Sequence, residues 1–217
     1  MKSMLRAVER LIWPRGLQCL CCGMNSGGAL LCSECKEELD SLQLQRQEPD
    51  GCAVWRYAGC ARTLVTELKL GCIGACAEVL AKEMAAFVLQ MQLPEDVRLT
   101  WVTMTDKRRR ERGIDHGRIL CRLVAEKTGL PYEQLLIRTG KVHTQRGLSR
   151  TERLNNLDGT FRCSRRIQGT VLLIDDVITT GATARICTQA LLKAGAARVM
   201  VLSATRVVLD DDKDMKG

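Results

Sequence analysis

A stretch near the carboxyl end of this 217-residue chain, residues 171–183, constrains the fold more than any other part of the sequence. It reads Val-Leu-Leu-Ile-Asp-Asp-Val-Ile-Thr-Thr-Gly-Ala-Thr. The first four residues are apolar and rich in β-branched side chains, a pattern typical of a buried parallel strand. We expect Asp175 and Asp176 to end this strand, and apolar residues at helical spacing then predict a helix over residues 184–194. The stretch therefore predicts a strand, an acidic pair, a hydroxyl-rich loop and a helix in direct succession.

This succession of groups suits a phosphorylated sugar. Backbone N–H groups and hydroxyls of the loop can surround a phosphate at the positive end of the helix dipole. The two carboxylates can accept hydrogen bonds from sugar hydroxyls or help to hold Mg²⁺. The alternative is an ordinary α/β unit with a threonine-capped helix, which does not require paired acids ahead of the Thr-Thr-Gly-x-Thr loop.

Cysteine spacing near the amino terminus predicts a metal site. Cys19-x-x-Cys22-Gly23 is followed by Cys32-x-x-Cys35. Two such turns present four thiolates to one tetrahedral Zn²⁺, and four sulfur ligands leave no position for a substrate, so the ion would be structural. Cys21 makes the register of the first pair ambiguous, but only Cys19 with Cys22 gives the same gap as the second pair. The alternative is four unrelated buried thiols in a cysteine-rich chain.

Composition narrows the class of protein. The chain carries 33 basic and 25 acidic residues, a net charge of +8 that is compatible with nucleic acid or phosphorylated ligands. Aromatic residues are only 3%, which supplies few surfaces for base stacking. No apolar run is long enough to span a bilayer, and Arg6, Glu9 and Arg10 lie where a signal peptide needs its apolar core. We therefore expect a cytoplasmic protein without membrane insertion.

In that compartment the twelve cysteines are expected to be thiols or metal ligands rather than disulfides. Seven of them lack ligand spacing and are expected to be mostly small core residues: Cys52, Cys60, Cys72, Cys76, Cys121, Cys163 and Cys187.

The rest of the chain predicts alternating strands and helices. Predicted strands cover residues 52–57, 97–104 and 132–137, and predicted helices cover residues 4–13, 36–47, 61–70, 75–92 and 116–127. This order predicts an α/β fold with a parallel sheet flanked by helices and a small four-cysteine module ahead of it. The expected units are residues 1–48, 49–209 and a disordered acidic tail at 210–217.

Two basic loops lie beside the predicted sheet. Residues 105–113 follow a strand and precede a helix capped by Asp115, the position where open α/β sheets place ligand loops. Residues 138–160 form a loop too long to be idle in a compact domain, and it includes Lys141 and Arg146. The second loop could be a lid that brings cations over a bound pyrophosphate. It could equally be a solvated basic loop, and its charge alone does not decide between the two.

The order of residues 171–183 resembles the 5-phosphoribosyl-1-pyrophosphate (PRPP) binding motif of the type I phosphoribosyltransferases. The wider chain resembles the ComF family of phosphoribosyltransferase-like proteins, which is associated with DNA uptake in competent bacteria. That resemblance rests on the four-cysteine module, on Arg-Glu-Arg-Gly-Ile-Asp-His at 110–116, on the run that begins Thr-Gln at 144–155, and on Phe161. The chain departs from the family pattern at Thr103-Met104-Thr105 and at Ile114-Asp115-His116.

The resemblance implies a type I phosphoribosyltransferase-like fold that binds PRPP with Mg²⁺. It implies that Asp175 and Asp176 contact the ribose hydroxyls. The 5-phosphate would be held by Thr179, Thr180, Gly181, Ala182 and Thr183. If the protein is an enzyme, a nitrogen nucleophile displaces pyrophosphate from C1 of PRPP, and nearby cations offset the charge that develops. The expected cations are Arg112, with Arg109 and Arg110 as alternatives, and Lys141 or Arg146 from the long loop.

Two further classes of function stay open. A non-catalytic adaptor would keep the sugar-phosphate site as a sensor or a relic, and would act with single-stranded DNA and a helicase-like ATPase of the DNA-uptake machinery, as the resemblance implies. A zinc-ribbon binder of nucleic acid with an inert α/β domain is the third class, and the few aromatic residues weigh against it.

Overall fold

The computed structural model describes residues 18–44, 51–70, 73–105, 110, 113–138 and 160–208. The predicted helix over residues 4–13, the long basic loop at 139–159 and the acidic tail lie outside the described residues. In chain order the described elements are α1 Ser33–Ser41, β1 Cys52–Arg56, α2 Gly59–Leu70, α3 Ile73–Gln90, β2 Arg98–Trp101, α4 His116–Thr128, β3 Leu136–Arg138, β4 Phe161–Cys163, β5 Thr170–Ile178, α5 Ala182–Lys193 and β6 Arg198–Arg206.

Four parallel strands form the central sheet, in the order β1-β6-β5-β2. Strand β5 lies in the interior, where Ile174 pairs with Trp101 on one side and with Leu202 on the other. Because the strands run parallel, their carboxyl ends meet at one edge of the sheet, and the loops that follow β1, β2 and β5 gather there.

Side chains alternate across β5, and each face of the sheet has its own apolar core. Leu172 and Ile174 pack with residues of α2, α3 and α4. Val171 and Leu173 pack with Cys187 and other residues of α5, and with the short strands β3 and β4. The sheet is thus the middle of three layers. The predicted fold class, a parallel α/β sheet flanked by helices with four clustered cysteines near the amino terminus, is confirmed.

The acidic pair does not end strand β5, and this part of the prediction is wrong. The strand runs on to Ile178, with Asp175 opposite Ser203 and Val177 opposite Thr205 of the long strand β6. The Thr205 hydroxyl also donates to the Asp176 carbonyl oxygen at 3.1 Å. Because the neighbouring strand supplies hydrogen-bond partners past the acids, the two carboxylates project from a strand rather than from a loop.

The predicted strand over residues 132–137 is confirmed only at its end. Tyr132 makes a single parallel bridge to Leu99 beside β2. Strand β3 begins only at Leu136 and pairs antiparallel with β4 in a separate two-stranded sheet. The Thr100 hydroxyl accepts a hydrogen bond from Leu135 N at 3.2 Å. This side-chain acceptor takes the place of a ladder bond as the chain leaves the central sheet.

The cysteine segment packs directly onto the sheet domain. Helix α1 ends at Ser41, earlier than predicted, because the chain then pairs with β1: Leu44 N donates to the Val54 carbonyl at 2.9 Å. Leu39 is buried in the same core as Trp55 and α2. Helices α2 and α3 begin earlier than predicted, at Gly59 and Ile73. None of the described helices has both the length and the apolar composition needed to cross a bilayer.

Candidate functional site

The alternation along β5 sends the two adjacent acids to opposite faces of the sheet. Asp175 projects towards the α5 face and lines a surface cleft. Asp176 projects towards the α2 face, where its Oδ2 lies 2.8 Å from Nζ of Lys69. The two side chains therefore have different surroundings, although they are neighbours in sequence.

The position of Asp175 disfavours ionisation of its carboxyl group. Burial and the neighbouring Asp176 carboxylate raise the pKa of Asp175 to about 8. The N–H of Asp176 donates to Asp175 Oδ1 at 2.9 Å, and Lys69 lies near enough to oppose the shift, but neither cancels it. Asp175 is therefore mostly protonated at neutral pH in the free protein. A cation or a set of hydroxyl donors would favour its charged form.

Lys69 is a site residue that the sequence reasoning missed. It lies in the last turn of α2, and its side chain is 29% exposed against 18% for Asp176. The helix brings a cation to the acidic pair from a distant part of the chain. No local spacing connects the two positions, so only a fold-level model could have identified the contact.

The loop after β5 leads into the amino terminus of α5. Gly181 is the N-cap of this helix and takes a left-handed conformation with φ 70. The helix begins at Ala182 instead of residue 184, and the Thr180 hydroxyl lies 3.4 Å from Ala182 N. The first N–H groups of a helix have no acceptor within the helix. Ala182 N donates to the Thr180 hydroxyl, and the N–H groups that follow it in this first turn can bind an anion.

The acid and the loop face the same cleft. Its lining residues are Asp175, Val177, Ile178, Thr179, Gly181, Ala182, Thr183 and Ala184. Four of the five predicted phosphate-loop residues are among them. Thr180 is exposed beside the cleft, and its carbonyl oxygen accepts from Arg185 Nη1 at 3.3 Å. The structure thus brings together a carboxyl group, small polar side chains and a helix amino terminus.

Most of the predicted pyrophosphate cations lie outside the described residues. Arg110 is exposed. Arg112, Lys141 and Arg146 lie outside the described residues, as does Arg109. The helix that follows the first basic loop is capped as predicted: Asp115 Oδ1 accepts from Arg118 N at 3.1 Å. Asp115 Oδ2 accepts from Trp101 Nε1 at 3.2 Å. This acid therefore ties α4 to the end of β2.

The four predicted metal ligands come together in space. The sulfur atoms of Cys19, Cys22, Cys32 and Cys35 all lie within 4.8 Å of one another, and those of Cys22 and Cys32 are 3.7 Å apart. Sulfurs that share one tetrahedral zinc lie about 3.8 Å apart, given Zn–S bonds of about 2.3 Å. Gly23 turns the first pair with φ 75, and Gly23 N donates to the Cys19 carbonyl at 2.9 Å. The residues present therefore fit a tetrahedral sulfur-bound metal.

The four-cysteine cluster contains thiols whose pKa values are shifted in opposite directions. Burial acts to raise the pKa of Cys19, but backbone N–H groups of Cys22, Cys32 and Cys21 outweigh it and lower that pKa to about 6. Burial and thiol neighbours raise the pKa of Cys35. A cysteine that ionises easily is thus packed against one that does not, and a bound metal would favour the thiolate of both.

Most of the remaining described cysteines are buried core residues, as predicted: Cys52, Cys60, Cys76, Cys121 and Cys187. Cys163 is half-buried. Cys60 also belongs to a second group of ligand-type atoms, with Cys35 and Glu38, which the spacing did not indicate.

Comparisons with known proteins identify the family. No protein-family model matches the chain. The DNA utilization protein YhgH of Salmonella typhi is 30% identical over 206 residues, which cover 92% of this chain and 88% of that protein. YhgH of Escherichia coli K12 is 30% identical over 160 residues, 70% of each chain.

Among solved structures, glutamine phosphoribosylpyrophosphate amidotransferase from B. subtilis has a TM-score of 0.40 at 26% identity, over 58% of this chain and 25% of its own. Adenine phosphoribosyltransferase from Leishmania donovani has a TM-score of 0.40 at 14% identity, over 85% of this chain and 87% of its own. Over nearly its whole length, this chain belongs to the ComF-like family of the DNA utilization protein YhgH.

Proposed function

We propose that this protein binds a ribose phosphate, with PRPP as the ligand, in the cleft between Asp175 and the amino terminus of α5. The observation that carries the proposal is the shared cleft of Asp175, Thr179 and Gly181 at the carboxyl edge of the sheet. A carboxylate and an open helix amino terminus recognise the two ends of such a ligand, its hydroxyls and its phosphate.

The protein's own groups divide this task. The N–H groups at the start of α5, with Thr179 and Thr183, would receive the 5-phosphate. Asp175 would accept from a ribose hydroxyl, or share an oxygen with Mg²⁺, and would release its proton in either case. Asp176 is held on the other side of the strand by Lys69, and it sets the electrostatic field around Asp175. Bound Mg²⁺ would supply charge neutralisation for pyrophosphate, and carboxylate oxygens are ligands that suit it.

Thermal unfolding tests the binding proposal. Wild-type protein with PRPP and Mg²⁺ at about 100 times the dissociation constant should gain about 2.7 kcal/mol of stability. For a chain of this size, that gain raises the melting temperature by about 5–10 °C. Asp175→Asn should lose most of the shift, and Asp40→Asn, an exposed acid on α1, should keep it. Absence of any shift in the wild type at millimolar PRPP would overturn the proposal.

Catalysis is a separate question with its own measurement. If the protein is a transferase, nucleobases added with PRPP and Mg²⁺ should increase pyrophosphate release above the rate without base. Binding without release would leave a sensor or adaptor that keeps the site for recognition alone. The expected cations Arg112, Lys141 and Arg146 matter only in the first case, so neutralising them should reduce pyrophosphate release more than PRPP binding.

We also propose that Cys19, Cys22, Cys32 and Cys35 hold one structural zinc ion. The sulfur spacing and the four-sulfur donor set support this, since such closed sites contribute to folding rather than to chemistry. Metal analysis of purified protein and loss of stability on chelation test it. Fully folded protein without metal would contradict it.

A role in DNA handling is the second candidate, and the name of its relatives favours it. Under this proposal the net charge of +8 supports binding of single-stranded DNA, and a helicase-like ATPase and a cytoplasmic location stay predictions. Affinity for a short single strand should fall steeply as salt rises. Affinity that does not change with salt would exclude the electrostatic mechanism.

A further inference from the structure

Beside the four-cysteine cluster lies a second group of metal-ligand atoms that the proposed function does not use. The Cys35 and Cys60 sulfurs and a Glu38 carboxylate oxygen all lie within 4.8 Å of one another. Cys35 and Glu38 project from α1, and Cys60 lies in the first turn of α2. Cys35 belongs to both groups, so the two sets of ligands are continuous.

The Glu38 carboxylate contacts the first turn of α2. The Cys60 thiol donates to Glu38 Oε2 at 2.8 Å. On the other side of the carboxylate, a Cβ on Gly59 would lie 1.9 Å from Glu38 Oε1. A side chain at residue 59 would displace this carboxylate, and Gly59 takes a φ of +43. The carboxylate thus lies between Gly59 and the Cys60 thiol, and Glu38 is an exposed residue.

We propose that Cys35, Glu38 and Cys60 bind a second zinc ion, with the Cys35 sulfur bridging it to the ion of the four-cysteine site. Zinc accepts both thiolate and carboxylate ligands. Cys21 lies close by, since its thiol donates to the Cys60 carbonyl oxygen at 3.7 Å.

The geometry and the charge both suit this ion. Zinc would replace the proton that now lies between Cys60 and Glu38, and ligand atoms on one tetrahedral zinc lie about 3.6 Å apart for a sulfur and an oxygen. The exposed Glu38 side chain can open by the difference of less than about 1 Å. When the ion binds, the Cys60 proton leaves, and Zn²⁺ with the Cys60 thiolate and the Glu38 carboxylate forms a neutral unit.

This site goes beyond the ribose-phosphate function, and through Cys35 it rests on the proposed four-cysteine site. Its role would be to fasten the cysteine segment to α2. A protein held by this second ion has its amino-terminal segment and its sheet domain joined by metal bonds as well as by apolar contacts.

Zinc content of the purified full-length protein tests the proposal. Wild type should contain about two zinc ions per chain, and Cys60→Ala and Glu38→Gln should each contain about one. Cys121→Ala, which removes a buried thiol of α4 outside both groups, should keep two. Glu38→Gln changes an exposed side chain, so it gives an answer even if Cys60→Ala does not fold. With cobalt in place of zinc, both site variants should also lose part of the thiolate charge-transfer absorption.

The outcomes separate the two metal proposals. One zinc in the wild type would overturn the second site and leave the four-cysteine site in place. No zinc would overturn both. Two ions that persist in Glu38→Gln and Cys60→Ala would place the second ion elsewhere and overturn the assignment.

Discussion

Lys69 Nζ lies 2.8 Å from Asp176 Oδ2, so this lysine pairs directly with the second of the two adjacent acids of strand β5. Asp176 has a cation of its own from the last turn of α2. Asp175, on the other face of the strand, has a pKa raised to about 8 by burial and by the Asp176 carboxylate. The free protein therefore presents one neutral acid to the cleft.

The first prediction concerns pH and stability. The pKa of Asp175 rises from 3.8 to about 8 on folding, so between these values the folded state holds a proton that the unfolded state has released. The contribution of Asp175 to the free energy of unfolding is greatest below pH 3.8. It falls as the pH rises from 3.8 to about 8 and does not change further above about 8. Each pH unit removes at most about 1.4 kcal/mol.

Asp175→Asn removes this loss, so its advantage in melting temperature over the wild type should grow from about pH 5 to about pH 8. Melting curves across that range measure the difference. Asp40→Asn, the exposed control, should show no such trend. A constant difference between Asp175→Asn and wild type would mean that the pKa of Asp175 is not raised.

The second prediction concerns the ion pair itself. Lys69→Met keeps the length of the side chain and removes the charge, which leaves the half-buried Asp176 carboxylate without its cation. We expect a loss of about 1 kcal/mol, or about 2–4 °C in melting temperature. Adding Asp176→Asn to Lys69→Met should recover part of the loss, because the uncompensated charge is gone. Strict additivity of the two changes would show that the pair is not coupled.

The third prediction compares two glycines near the start of neighbouring helices. Gly59→Ala should destabilise the protein by more than about 1 kcal/mol, because it opposes a φ of +43 and brings a Cβ within 1.9 Å of Glu38 Oε1. Gly74→Ala in α3 meets no atom within 4 Å and should be neutral or stabilising by up to about 1 kcal/mol. Denaturant unfolding of both variants measures the contrast, and equal effects would contradict it.

The fourth prediction concerns the loop that leads into α5. Gly181→Ala forces a side chain into a left-handed conformation and disturbs the N–H groups that would receive the phosphate. It should weaken PRPP binding by about tenfold or more, a loss of about 1.4 kcal/mol. Thr180→Ala removes a hydroxyl beside the cleft and should cost less than about threefold. Calorimetric titration of both variants decides the order, and a larger loss for Thr180→Ala would move recognition from the backbone to the hydroxyl.

Features of the site that depend on neighbouring residues could be predicted from the sequence. The strand, acids, loop and helix of residues 171–183 follow from apolar run length and helical spacing. The four cysteines come together because each Cys-x-x-Cys pair is one local turn. The N-cap Asp115 is local too, since its carboxylate reaches only as far as Arg118 N.

Features that depend on distant segments could not be predicted. The length of β5 is set by strand β6, which continues the hydrogen bonds beyond the acids. Leu136 pairs antiparallel with Cys163, on a segment far along the chain. The hydrophobic pattern of residues 132–137 therefore could not show that the chain leaves its parallel contact with β2 and pairs antiparallel with β4. Lys69 reaches Asp176, and Cys60 reaches Cys35 and Glu38, because helix α2 packs against both places. Sequence spacing gives no indication of that packing.

Helix α2 has Cys60 in its first turn and Lys69 in its last, about 14 Å apart along the helix axis. A rigid element of this kind transmits a displacement of one end to the other. If a metal at Cys60 sets the position of α2, loading that metal also sets how closely Lys69 approaches Asp176, and thereby how readily Asp175 gives up its proton. By thermodynamic reciprocity, a ligand in the cleft would then change the affinity for the metal by the same factor. Zinc supply and sugar-phosphate binding would be coupled through a single helix.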